Sequence, residues 1–389
     1  MLQLNINYYL LILQMNIQPQ YLIAPVIIIS SIVTCYILAR LNFIPHLSSG
    51  KSRYSHIDSV RGLAALFVVC AHSGRITFTG IKNDSLFKSD VFYNQTLGAI
   101  GVQIFLCITG FLFIEKLINS KLEWSAFFIG RVKRLAPLYL FVMLAIFISM
   151  VAESGFDINK ELILPTIKIF SFGFYGTQYT YKGTSLSHTI SVLWTLPFEW
   201  KFYLSLPFVA VFLGDKKLFI IAVVACLMWG ASFLAFDDAV YVYFFSGGIA
   251  AVIKKRFSGE FSIIFMALFF GLVIANILSV FVKFPQYGYE RFLLTSLLFI
   301  TMIMCSSHIF SSKPLEYLGE ISYSIYLCHL LLFYLFGKAI SSFANFGESS
   351  ISMSLIILSI YCVLMCIISS ITFKYIEYPF IKKKSLQPK

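Results

Sequence analysis

The sequence predicts an all-α polytopic membrane protein, and three observations predict it. Of 389 residues, 59% are hydrophobic and only 12% charged, with a mean hydropathy of +0.83; a soluble chain carries roughly a quarter of its residues charged. Apolar runs long enough to cross a hydrocarbon core of ~30 Å recur from end to end. Those runs are continuous rather than alternating, which argues against a β-barrel.

About eleven transmembrane helices are expected. The first, 20–41, is an apolar run closed by Arg40 and is read as an extra helix in front of a ten-helix block. The block opens at 57–78, which carries SVRGLAALFVVCAHSG, and continues at 97–118. The span at 136–154 starts at Ala136, and Pro137 suits its first turn. Next come 192–213, an aromatic stretch, then 217–236 and 239–254, the latter ending in Lys254, Lys255 and Arg256. Apolar runs at 262–283 and 291–309, a serine-rich start at 321–341, and 351–375, leaving through Glu377 and Pro379, complete the set. The chain thus divides into an N-terminal segment (1–53), a membrane domain (54–382) and a basic tail (383–389).

Basic residues orient the helices. Assigning alternate connections to one side, beginning with 42–56, gives that side nineteen Lys and Arg and the other nine. The richer side is cytoplasmic by the positive-inside rule. The N-terminus is then outside and the basic tail inside. The same rule accounts for the net charge of +12 without nucleic acid. The start, MLQLNINYYLLILQM, lacks the basic region and small-residue site of a cleaved signal peptide. No soluble domain is expected at either end. The eight cysteines all fall in apolar stretches without metal-ligand or disulfide spacing, and the six histidines form no cluster, so no metal is expected.

Against that apolar background four groups of polar residues stand out. Arg61 and His72 are eleven steps apart, three helical turns plus about 20°, so they share a face at about 16 Å along the axis. Arg61 alone would be read as snorkelling to headgroups, and His72 alone as a packed histidine. Ionisable groups at depth are costly, which favours a role for both. Arg131 and Arg134 lie three apart in RVKR and share a face if helical. Two guanidiniums so placed grip phosphate oxygens, although basic residues before a span are also an ordinary topology signal. Glu199 lies in LWTLPFEWKFYL. It would orient a buried histidine, or form a local pair with Lys201 near the interface, against which their two-residue spacing argues. His329, with Ser322, Tyr323 and Ser324, lies in SYSIYLCHLLLF, where capping and interhelical hydrogen bonding are the plain reading. Glu377 is read as pairing with a nearby lysine. In the outer connection, about 155–191, aromatic residues including Tyr175 and Tyr179 would stack on a sugar ring or anchor the chain at the interface.

Taken together, these motifs resemble the integral-membrane acyltransferase 3 family, which includes O-antigen and exopolysaccharide O-acetylases. HIDSVRGLAALFVVCAHSG is similar to the family's opening signature, placing Arg61 and His72 on its Arg-x10-His motif. GVQIFLCITGFLF, Arg131-x-x-Arg134, LWTLPFEWKFYL (Trp194 and Glu199), LGEISYSIYLCHLLLF and YIEYPF match further stretches in order, over about 54–382. Gln103, Thr109, Pro197, Phe198 and Cys328 depart from the usual residues and bear on the acceptor rather than on the reaction.

The resemblance implies transfer of a short acyl group, acetyl above all, from cytoplasmic acetyl-CoA to a hydroxyl of a cell-surface or lipid-linked glycan (O-antigen, capsule or exopolysaccharide), in a bacterial inner membrane. His72 would be the base or acyl carrier, Glu199 its orienting partner, and Arg131, Arg134 and Arg61 the holders of the donor phosphates. Trp194, Tyr175, Tyr179 and His329 would meet the acceptor. Lacking the esterase-like domain of many members, the chain is expected to complete transfer itself, with membrane lipids around it. The competing classes are a proton-coupled transporter or glycan flippase, against which no internal repeat or paired broken helix is visible, and a regulatory protein with a decayed site.

Overall fold

The computed structural model describes residues 19–44, 55–73, 91–120, 122–183, 187–214, 240–257, 263–282, 284–305, 312–343 and 351–381. Within them the chain is helical, with no strand. In chain order the helices are α1 (Ile23–Arg40), α2 (Ser55–His72), α3 (Val91–Asn119), α4 (Trp124–Glu153), α5 (Ile163–Phe170), α6 (Leu196–Gly214), α7 (Val242–Arg256), α8 (Ile263–Ser279), α9 (Tyr289–Met304), α10 (Lys313–Glu320), α11 (Ser322–Phe343) and α12 (Ile351–Thr372). A single π-turn, Phe373–Glu377, joins α12 to a short α13 (Tyr378–Ile381). The expected span 217–236 and the tail 383–389 lie outside the described residues.

Five helices among the described residues are long and apolar enough to cross a membrane: α1, α3, α4, α11 and the continuous run from α12 to α13. The other expected spans with described residues are not among these five. α7 has 15 residues ending in three cations and α9 has 16 opening on Glu290 and Arg291, whereas α2, which carries Asp58 and Arg61, α6 and α8 each run to the edge of the described residues. The helical membrane architecture therefore stands, whereas the described helices leave the number eleven unestablished.

One boundary is corrected by capping chemistry. RVKR does not precede its helix; it lies inside α4, which starts at Trp124. Glu123 accepts from the backbone N–H groups of Ser125 (3.1 Å) and Ala126 (2.6 Å), satisfying orphan donors of the first turn. Helix thus begins well before the apolar run does, and Pro137 is an interior residue.

α3 is the central helix: 78% of its most apolar window is buried, against 33% for α1. It packs between α2 and α7. A Cβ on Gly247 would sit 1.9 Å from the Cys107 carbonyl oxygen, so α3 and α7 meet backbone to backbone. α10 packs on α2 in the same way, since a Cβ on Gly319 would lie 2.1 Å from the Asp58 carbonyl oxygen. α1 lies against α10 and α12. The outward face of α4 shows Leu140, Phe141, Leu144 and Ile148 exposed, and that of α8 shows Leu268, Ile274 and Ile277. Exposed aliphatic stripes of this kind belong in hydrocarbon.

Candidate active site

α2, α3, α4, α6 and α11 line a cavity of about 130 Å³. Arg61, Arg131, Arg134 and Glu199 all line it, with Thr195, Tyr203, Ser322, Tyr323 and Tyr326. Its opposite wall is apolar and comes from one stripe of α3, Val102 to Phe113.

Each arginine is held differently. Arg61 donates through Nε to Ser322 Oγ (2.9 Å) and through NH2 to the Gly319 carbonyl (2.9 Å), with Asp58 at 3.1 Å. The close approach at Gly319 is what brings that carbonyl within reach. Arg61 is thus anchored between helices rather than snorkelling. Arg131 lies over the rings of Phe113 (5.0 Å) and Phe127 (6.0 Å), within the range of cation–π attraction. Its buried Nε has no hydrogen-bond partner among the described residues. Arg134, one turn on, forms no ion pair at salt-bridge distance among them.

Glu199 lines the same cavity. Its carboxylate accepts from Tyr203 (3.0 Å), four residues on, and the Arg131 charge bears on it. Lys201 instead donates to the Tyr241 hydroxyl at 3.4 Å. Glu199 therefore belongs with the cavity arginines.

His72 is not among the residues that line this cavity. Its ring lies 5.4 Å from that of His329, tilted by 32°. His329 Nδ1 faces the carbonyl oxygens of Ile325 (3.1 Å) and Tyr326 (2.9 Å), two acceptors, which places a proton on Nδ1. Tyr326 links the two regions. Its hydroxyl donates to the Val192 carbonyl (2.8 Å) and meets Thr195 Oγ1 (2.7 Å) at the cavity wall, while its ring lies 6.3 Å from that of His329.

The aromatic residues named for the acceptor take separate places. Tyr179 is 5% exposed, and the Tyr181 hydroxyl donates to the Asp157 carbonyl (2.6 Å), so both hold the loop together. Tyr175 is exposed, yet neither it nor Tyr179 borders the cavity. Trp194 sits just outside, its ring edge-on to Phe198 (5.8 Å) and Tyr287 (6.1 Å). Tyr203, Tyr323, Tyr326 and Thr195 were not singled out as site residues from the sequence. Their signal was spacing: 195, 199 and 203 form one helical stripe, and 322 and 326 another. Among the described residues no group of three His, Cys, Asp or Glu side chains could hold a metal. The seven described cysteines are free, and all but Cys305 are buried.

Fold and cavity together define a helical membrane protein with a cation-lined chamber among its spans. Residues 54–374 match the acyltransferase domain family, and the chain belongs to that family. It is 27% identical over 333 residues to a peptidoglycan O-acetyltransferase of Listeria monocytogenes, covering 72% of this chain and 50% of the relative. It is 29% identical over 174 residues to nodulation protein 10 of Rhizobium leguminosarum bv. viciae, covering 42% of this chain and 46% of that one. A putative O-acetyltransferase of Staphylococcus aureus is 21% identical over 384 residues, 86% of this chain and 58% of the relative. The chain spans about half the length of these curated relatives. No solved structure matches it.

Proposed function

We propose that this protein transfers an acetyl group from acetyl-CoA, on the cytoplasmic side, to a hydroxyl of a cell-envelope glycan. The observation that carries this reading is the convergence of Arg61, Arg131 and Arg134 on one cavity. Three guanidiniums in a low-dielectric chamber call for an anion. The unpartnered Arg131 Nε fits a phosphate-bearing donor, and the apolar stripe of α3 suits an extended aliphatic arm.

Arg131 and Arg134 hold the donor phosphates, Arg61 assists, and Glu199 with Tyr203 fixes the approach of Arg131. The imidazoles handle the proton. His72 takes it from the acceptor hydroxyl as general base, the hydroxyl oxygen bonds to the thioester carbon, and the sulfur leaves and is protonated as the thiol. His329 beside it orients the ring and stabilises its charged form through Nε2. The acceptor is a lipid-linked or growing polysaccharide on the outer side; peptidoglycan, in the name of the Listeria relative, is one polymer of that class. The N-terminus is outside and the tail cytoplasmic in this reading, within a bacterial inner membrane.

The test is the composition of surface glycans from cells with and without the protein, read by mass and NMR for O-acetyl groups. Loss of those groups with the protein, and with His72→Ala at equal membrane abundance, is expected. Unchanged O-acetylation contradicts the assignment.

A further inference from the structure

Glu377 is fully buried at 0% exposure, at the end of the helix that closes the membrane domain. A carboxyl at such a place is costly and calls for a role. Lys374, three residues before it, is turned elsewhere: its ammonium lies over the Phe43 ring, 4.3 Å from its centroid. One carboxyl oxygen accepts from Ser324 Oγ, and Thr372 donates to the same hydroxyl at 3.2 Å. The other oxygen, Oε2, has no hydrogen-bond partner among the described residues.

Residues Phe373–Glu377 form a π-turn, a distortion that recurs at functional sites because it re-aims side chains. That turn packs on α4, the helix that carries Arg134. The charges acting on Glu377 are those of Arg134 first, then Arg61 and Glu320. Tyr323 stands between: it lines the cavity, donates to the Leu135 carbonyl (2.9 Å), and feels both Glu377 and Arg134. Glu377 itself does not border the cavity.

We infer that Glu377 is a positioning residue: its carboxyl, fixed by Ser324 behind the cavity wall, is the counter-charge that holds the Arg134 guanidinium in place to meet a donor phosphate. This rests on the donor reading above. A buried guanidinium without a counter-charge would turn away toward headgroups. The donor would then meet two ordered arginines instead of three.

The test is equilibrium binding of coenzyme A to the purified full-length protein in detergent. Glu377→Gln, which keeps an acceptor for Ser324 but removes the charge, and Ser324→Ala, which frees the carboxyl, are each made alone and with Arg134→Ala. Each alone is expected to weaken binding about threefold or more, and neither to weaken it further once Arg134 is alanine, because neighbours acting through one group are non-additive. Unchanged binding, or an equal loss on top of Arg134→Ala, overturns the inference while leaving the donor reading intact. Failure of both variants to assemble in membranes assigns the pair to folding and overturns it too. If the unaltered protein does not bind coenzyme A, the donor reading falls and this inference with it.

Discussion

The imidazole of His329 lies 5.4 Å from that of His72, with its proton committed to backbone carbonyls on its own helix. The two rings come from α2 and α11, and the contact gives His72 a neighbour that can share a developing charge. His329→Phe keeps the ring volume and removes the nitrogen. Acetyl transfer is expected to fall by about 10²-fold, the scale of general acid–base assistance, with donor binding unchanged. Near-normal transfer in that variant would make His329 a packing residue.

Arg131→Ala with Arg134→Ala removes two of the three cavity guanidiniums. Each charge-assisted contact is worth about 1.5–3 kcal/mol, so coenzyme A affinity should drop by at least about 100-fold. Titration of the purified variant against the parent is the measurement; equal affinities would reduce RVKR to a topology signal.

Gly319→Ala places a methyl 2.1 Å from the Asp58 carbonyl oxygen. α10 must move off α2, at a cost of about 1–3 kcal/mol, and the Gly319 carbonyl leaves Arg61. Lower thermal stability in detergent is expected together with weaker donor binding. A stable variant with full binding would show that Arg61 does not depend on this contact.

Tyr139 is buried and organises the connection 155–191. Its hydroxyl donates to the Ile169 carbonyl (2.7 Å) and accepts from the Phe172 N–H (2.8 Å), while its ring stacks on Phe172 at 3.8 Å. Tyr139→Phe keeps the stack and strands two buried backbone groups, costing about 1–3 kcal/mol. Protease cleavage between 155 and 183 should accelerate; an unchanged cleavage rate would show that the loop is held by other contacts.

The cap of α4 gives a pH dependence. Hydrogen bonds from the Ser125 hydroxyl and the Ala126 N–H hold Glu123 below the ordinary glutamate range. Because the folded-state value is depressed, this stabilisation is present above the ordinary glutamate pKa and is lost as pH falls through the folded value. Glu123→Gln should therefore lower thermal stability at neutral pH and matter less in acid. Equal differences at both pH values would place the effect elsewhere.

Helical class and membrane character were legible because composition and apolar run length report directly on the solvent a helix meets. Arg61, Arg131, Arg134 and Glu199 were legible as charges that an apolar sequence would otherwise exclude, and all four line the one cavity. Their partners were not. Whether Glu199 faces His72 or Arg131 depends on how α6 is rotated against α4, which no local spacing fixes. Glu377 lay beside Lys374 in sequence, but the π-turn sends its carboxyl to Ser324 and the ammonium to Phe43. The helix at RVKR was set too late because hydropathy marks where lipid begins, whereas Glu123 marks where hydrogen bonding begins. Aromatic residues in the outer connection carried no signal separating exposed Tyr175 from buried Tyr179.

The central claim is that the cavity delivers an acyl group rather than a whole solute. Membrane vesicles containing the protein and a polysaccharide acceptor, given acetyl-CoA labelled in the acetyl group, test it most directly. The account predicts label in base-labile esters on the polysaccharide, with an equal amount of free coenzyme A on the donor side, and neither product with His72→Ala. Intact labelled acetyl-CoA recovered across the membrane, with no labelled polysaccharide, would contradict it and make the protein a carrier.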